Sequence, residues 1–183
     1  MILPISLQTH FKMLQKWRHA MDLVGPGPLD PHFEDSLQAV SNLPFCNNWV
    51  DLGSGAGFPG IPLAVLHPQS QITLVESRQK RAVFLRRVIA QAQITNAIVF
   101  HGRTEELSPA SFEGVISRAY KPPTEYLKDA ERLLTQKGFA VCLLGSDSSF
   151  LEPTNWTIEE ENLYPVGAEY RKRILLRKTS CSS

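Results

Sequence analysis

Apolar side chains recur at Leu7, Phe11, Leu14, Trp17, Met21 and Val24, in steps of three and four residues. That period puts one apolar face on a helix, predicted over 5–24. Gly25-Pro26-Gly27-Pro28 ends it, since glycine loosens the backbone while proline removes a donor and restricts the residue before it. A second, shorter helix is predicted near 31–42, burying Phe33, Leu37 and Val40.

From residue 48 the pattern changes to short apolar runs alternating with helical stretches. Strands are predicted at 48–52, 71–76, 97–101, 113–117, 138–144, 158–164 and 171–177, with helices at 61–67, 78–93 and 123–135. The segment 145–156 reads as loop. Alternation of this kind argues for crossover units and a mainly parallel sheet. The last two strands have no helix between them, which predicts an antiparallel hairpin closing the sheet edge. The expected class is therefore α/β, Rossmann-like, with a seven-stranded mainly parallel sheet preceded by N-terminal helices. No repeat or linker divides the chain. One domain over 1–183 is expected, with 1–45 as a helical extension and 46–183 as the ligand-binding core.

Composition narrows this picture. The 183 residues are 43% hydrophobic and 20% charged, as in an ordinary globular domain. At this length about 70% of the unfolded surface can be buried, so no disulfide or metal is needed to hold a core. Cys46, Cys142 and Cys181 are odd in number and never in a C-x-x-C, which disfavours a disulfide framework or a zinc site and suits a reducing, cytoplasmic setting. The N-terminus lacks the charged-then-apolar order of a signal peptide, and no apolar run reaches membrane-spanning length. No membrane and no metal partner are expected, and a monomer is. A net charge of +1 announces no nucleic-acid partner. Two local clusters do stand out: Arg78, Lys80, Arg81, Arg86 and Arg87, and Arg171, Lys172, Arg173, Arg177 and Lys178. Each is a solvated face or a phosphate-binding surface.

The chemistry concentrates after the first strand. Asn48 to Leu52 runs into Gly53-Ser54-Gly55-Ala56-Gly57-Phe58-Pro59-Gly60-Ile61-Pro62. The glycines permit a tight turn and close approach of backbone to a ligand, and proline suits the start of a helix. Two registers fit: Gly53-x-Gly55-x-Gly57, or the dinucleotide fingerprint Gly55-x-Gly57-x-x-Gly60. Asp51 favours the first, because a carboxylate there repels a pyrophosphate but suits a ligand carrying sulfonium and ammonium groups, as S-adenosylmethionine does. A glycine turn with no ligand is the plain alternative.

Glu76 ends the second strand, where an acid accepts hydrogen bonds from ribose hydroxyls. An acid near a helix N-terminus, favoured by the dipole, is its other reading. Arg103-Thr104-Glu105 follows the third strand, either reaching an adenine ring or starting a helix. Arg118 follows the fourth strand and contacts an anionic substrate, orients a base, or forms a salt bridge. The Asp/Asn-Pro-Pro-aromatic signature of amino-methylating enzymes is missing there, since the chain reads Arg118-Ala119-Tyr120-Lys121-Pro122-Pro123. Cys142 reads as strand core rather than as a nucleophile. Ring nitrogen, oxygen or a protein side chain remain as methyl acceptors.

These stretches resemble ribosomal RNA small-subunit methyltransferase G, the glucose-inhibited division protein B family. The resemblance rests on His32-Phe33-Glu34-Asp35-Ser36, on Asp51 to Pro62, and on Thr73-Leu74-Val75-Glu76-Ser77 with Lys80-Arg81 and Phe84-Leu85. Gly102-Arg103-Thr104-Glu105 and Val115-Ile116-Ser117-Arg118-Ala119 complete it. It implies a class I S-adenosylmethionine-dependent methyltransferase fold and methylation of guanine N7 in 16S ribosomal RNA, free or in the small subunit. It also implies that Gly53, Phe58, Thr104, Glu105 and Arg118 serve the methyl donor, beside Asp51, Gly55, Gly57 and Glu76. Guanine N7 carries a free lone pair at neutral pH, so alignment matters more than a general base. The chain departs from the family pattern in a shorter N-terminal region, in Met21-Asp22-Leu23-Val24-Gly25 where Asn-Leu-Thr is typical, and in Leu144-Gly145 where Lys-Gly is usual. A methyltransferase of another substrate, or an RNA-binding module without turnover, are the competing readings.

Overall fold

A computed structural model describes residues 2–148, 150 and 153–179. Two N-terminal helices, α1 (Ile5–Trp17) and α2 (Asp30–Val40), precede an alternating series. That series is β1 (Asn48–Leu52), α3 (Gly60–Leu66), β2 (Gln71–Glu76), α4 (Gln79–Gln91), β3 (Ala97–His101), β4 (Phe112–Ser117) and α5 (Pro123–Leu133). It closes with β5 (Leu134–Gly145), β6 (Trp156–Val166) and β7 (Glu169–Lys178). The seven strands form one sheet in the order β3-β2-β1-β4-β5-β7-β6. Strands β1 to β5 pair in parallel, and β7 runs antiparallel to both β5 and β6. The expected class, strand number and closing hairpin are all present.

Both faces of the sheet are covered, which is why its inner strands read as continuous apolar runs. Trp49, Ile72, Leu74, Ile116 and Val141 pack beneath the helices α1 to α4. Their neighbours Val50, Leu52, Val75, Val115 and Ala140 pack on the opposite side with α5. Trp49 lies across its parallel partner Gly114, where an added Cβ would stand 2.3 Å from the indole. Strand order reverses around β1, with β2 on one side and β4 on the other. Ligands of open α/β sheets settle beyond the carboxyl ends of the strands at such a point.

Helix α1 stops seven residues before the predicted end. Asp22 takes a left-handed φ of 50°, and the Arg18 guanidinium donates to the carbonyls of Gly25 and Gly27, turning residues 18–29 into a strap. Met21 and Val24 still pack against the core, so their spacing reflects that contact rather than further helix. Strand β5 begins immediately after α5, and β6 takes in Trp156, which the sequence pattern assigns to loop. Cys46 and Cys142 are buried and free, whereas Cys181 lies outside the described residues. Among the described residues no helix is long and apolar enough to cross a membrane, and no cluster of His, Cys, Asp or Glu suits a metal.

The C-terminal basic cluster is divided between the interior and the surface, which corrects its reading as one solvated or phosphate-binding face. Arg173 is 2% exposed; it donates to the Ala39 and Ser41 carbonyls that end α2 and to Glu160. Arg177 pairs with Glu159, Lys172 with Glu161, and Lys178 donates to the Glu131 and Leu134 carbonyls around the end of α5.

Candidate functional site

Beyond β1 the chain turns through Gly53, Gly55 and Gly57 with φ of 69°, 54° and 95°, a region that L side chains rarely adopt. Gly57 has a second constraint, since a Cβ there would stand 2.7 Å from Ile61 Cγ1. Gly60 opens α3 directly over β1, where a Cβ would lie 2.5 Å from Asp51 Oδ2. Turn geometry thus accounts for the glycines of the first register, and close helix-to-strand packing accounts for Gly60.

Asp51 lies beneath this loop with no exposure, and its Oδ2 accepts the Gly60 N–H at 3.2 Å. Its Oδ1 has no partner. Burial pushes the carboxyl up to about 7, with the Ser54 hydroxyl, the Gly60 N–H and the Arg118 charge pulling the other way. Asp51 therefore shapes the loop from below and does not line the cavity.

The loop is held from two further directions. One Glu76 oxygen accepts the Gly55 N–H at 3.0 Å, and the other accepts the N–H of Arg78, the residue that caps α4, at 2.7 Å. The helix-start reading of Glu76 is present in its bond to Arg78, and the same carboxylate also fixes the loop. From α1, His10 Nε2 lies 2.7 Å from the Ala56 carbonyl. Its ring is fully buried against Phe33 and Phe58, and burial lowers its pKa to about 4. It is thus neutral near pH 7, and the carbonyl fixes the tautomer with hydrogen on Nε2.

A second wall combines the N-terminal extension with the end of β4. The Arg118 guanidinium lies 4.7 Å from the centroid of the Phe58 ring, and its Nη1 donates to Asp35 Oδ2 at 2.9 Å. Tyr164 of β6 donates to the other Asp35 oxygen at 3.0 Å. His32, one turn before Ser36, stacks on Phe58 at 5.8 Å and is held below its ordinary pKa by burial and by Arg118. Arg118 is therefore in a salt bridge, yet it also faces the cavity.

The third loop forms a single 3-10 turn, Thr104–Glu106, a short form of the helix start that the sequence offered there. Thr104 is buried and accepts a hydrogen bond from the Tyr120 hydroxyl at 2.8 Å, while Glu105 is exposed and pairs with Lys121 at 3.6 Å. The Tyr120 ring closes onto Gly53, where an added Cβ would lie 2.8 Å from Cδ2.

Two cavities meet at Gly53. The larger, about 520 Å³, is lined by Gly53 to Ala56, Phe58, His32, Arg81, Arg118 and Arg171. Leu144, at the family's lysine position, also lines it beside Gly145, which pairs across the ladder with Arg171. The smaller, about 170 Å³, is lined by Gly102, Arg103, Thr104, Glu105 and Tyr120. Gly53, Gly55, Phe58, Thr104, Glu105 and Arg118 are thus assembled at one end of the sheet. Gly57 and Asp51 support the loop from within, and Glu76 fixes its backbone. Sequence reasoning missed His10, His32, Asp35, Tyr120 and Tyr164. Only His32 and Asp35 carried a signal, as members of the His32 to Ser36 stretch.

Comparison with known proteins agrees with this geometry. A family model described as GidB, rRNA small subunit methyltransferase G, matches residues 5–159. The ribosomal RNA small subunit methyltransferase G of Pseudomonas entomophila is 35% identical over 91% of this chain and 82% of its own length. Its counterpart from Lawsonia intracellularis is 34% identical over 96% of this chain and 87% of its own. Among solved structures, M. jannaschii TYW2 in complex with AdoMet superposes with a TM-score of 0.62. It shares 14% identity, and the match covers 81% of this chain and 75% of that one, a likeness of fold alone.

Proposed function

From the premise that the chain belongs to the GidB family, rRNA small subunit methyltransferase G, we propose that it methylates guanine N7 of 16S ribosomal RNA with S-adenosylmethionine as donor. The observation that carries this reading is the pairing of a glycine loop fixed by Glu76 with a cavity wall carrying Arg118 on Phe58. The residues present suit the donor. Gly53 and Gly55 let its methionine end approach backbone, Glu76, between the lobe-lining Val75 and Ser77, has lone pairs left for ribose hydroxyls, and Thr104 and Glu105 border an adenine-sized lobe. When bound, S-adenosylmethionine supplies an electrophilic methyl group on a sulfonium.

Guanine N7 needs no deprotonation, so the chain's task is to align. Asp51 is fully buried and Cys142 lies in the sheet, so neither serves as base or nucleophile. Arg118 positions. Methylating N7 puts positive charge on the base, and a bare guanidinium there would oppose it. Asp35 neutralises that charge, leaving the remaining planar donors of Arg118 for guanine O6 or a phosphate. Phe58 and His32 present ring faces at the same wall and exclude water. Arg81 and Arg171 stand at the cavity as cations for the RNA backbone.

The same reading takes residues 1–183 as one methyltransferase domain that acts as a monomer in the cytoplasm on ribosomal RNA or the small subunit. The test offers labelled S-adenosylmethionine with naked small-subunit RNA, assembled subunit, protein and small molecules. Label in RNA as 7-methylguanosine supports the reading. Label only in protein or small molecules would replace it.

A further inference from the structure

We propose that the paired outer faces of α1 and α4 form a track for the RNA phosphate backbone, leading away from the cavity and separate from the residues that hold donor and base. This rests on the RNA substrate proposed above. Helix α1 carries Lys12 and Lys16, and α4 carries Lys80, Arg81, Arg86 and Arg87; neither helix contains an acid. The protein has 18 acids against 19 Lys and Arg, so an even spread would place some of them on these 13-residue helices. Helix α5 shows the ordinary solvated pattern instead, mixing Glu125, Asp129 and Glu131 with Lys128 and Arg132.

Packing sharpens the asymmetry. Lys16 of α1 and Arg87 of α4 converge on one indole, 5.3 and 5.8 Å from the Trp17 centroid. Lys12 and Lys16 are one turn apart, a like-charge spacing that weakens a helix. Among the described residues none of Lys12, Lys16, Lys80, Arg86 and Arg87 pairs with a carboxylate, and Asp22 is taken by Arg78 and Arg81. Five cations on two touching helices therefore repel one another with no carboxylate between them to offset it, the Trp17 ring meeting only two of them. A polyanion supplies that offset, and a chain of phosphates matches the elongated shape. The track is continuous with the site through Arg81, which lines the cavity, and Arg87 lies about 9 Å farther along the α4 axis.

The test uses the full chain with Lys16→Gln, Arg86→Gln and Arg87→Gln combined, and a second variant with Lys12→Gln and Lys80→Gln in case the first does not fold. Binding to a 16S rRNA transcript is titrated across salt concentrations, and S-adenosylmethionine binding and thermal unfolding serve as controls. The triple variant should bind the donor as the parent does, yet lose about tenfold or more in RNA affinity near physiological salt. Its salt dependence should be shallower by about 2 logarithmic units per unit of log salt, since each lost phosphate contact releases fewer counterions. Lys128→Gln, on α5, should change neither. Unaltered transcript affinity and slope in both folded variants overturn the track. So does weakened binding to the assembled subunit alone, which would place a ribosomal protein there. These results separate from the proposed function: a parent protein that binds RNA with the expected slopes but forms no 7-methylguanosine sinks the activity and leaves the track standing.

Discussion

Arg118 Nη1 donates to Asp35 Oδ2 at 2.9 Å, joining a strand end to a helix 83 residues earlier in the chain. Tyr164 holds the other oxygen of the same carboxylate. The N-terminal extension is thereby built into the cavity wall rather than appended to it.

Asp35→Asn keeps the shape of that wall but removes its negative charge. A hydrogen bond to a charged group contributes about 1.5–3 kcal/mol, so kcat for methyl transfer should fall about ten- to a hundredfold. Donor affinity should change less than about threefold, because Glu76 and the loop are untouched. Arg118→Lys should behave alike, since an ammonium lacks the planar fork. Full turnover in both variants would make the pair a structural salt bridge only.

Glu76→Ala should weaken S-adenosylmethionine binding about ten- to a hundredfold, through lost ribose contacts and a freed Gly55 N–H. Glu76→Gln, which keeps an acceptor, should recover part of that. Calorimetric titration measures both, and an unchanged Kd in a folded Glu76→Ala protein would leave Glu76 as a helix-start acid.

Stability should respond to pH through two buried groups of opposite sign. Asp51 has its folded pKa raised from 3.8 to about 7, so the folded state binds the extra proton. Its contribution is favourable below about pH 4 and is lost as pH rises toward 7, by about 4 kcal/mol in total. His10 has its pKa lowered from 6.5 to about 4, so its penalty grows as pH falls through that window. Urea unfolding at pH 5 and 8 should therefore show Asp51→Asn gaining on the parent at the higher pH. His10→Gln should gain at the lower. Parallel curves for parent and variant would contradict the burial of either group.

Gly57→Ala meets both a φ of 95° and a Cβ contact of 2.7 Å with Ile61. Strain and overpacking together should cost about 2 kcal/mol or more, lowering Tm by roughly 4–8 °C. Calorimetry decides it, and an unshifted Tm would mean the loop relaxes without cost.

Much of this was legible in the sequence because it is local. Period and turn chemistry located β1 to β4 within a residue, and the glycine loop, Glu76 and Arg118 stand at strand ends that any parallel sheet brings together. What stayed hidden depends on tertiary partners. Nothing in the spacing of His10 and Asp35 on their helices tells that Ala56 and Arg118 await them. Met21 and Val24 prolonged an apolar period that the structure satisfies with a strap. Arg173 looked like one more surface cation, but a helix C-terminus offers carbonyls that a buried guanidinium satisfies.

The most direct measurement is nucleoside analysis of 16S rRNA after incubation with the purified protein and S-adenosylmethionine. One new 7-methylguanosine per RNA, sharply reduced with Arg118→Lys and with Asp35→Asn, is the predicted result. Methyl label on another atom or another molecule, or 7-methylguanosine formed equally by both variants, would contradict the account.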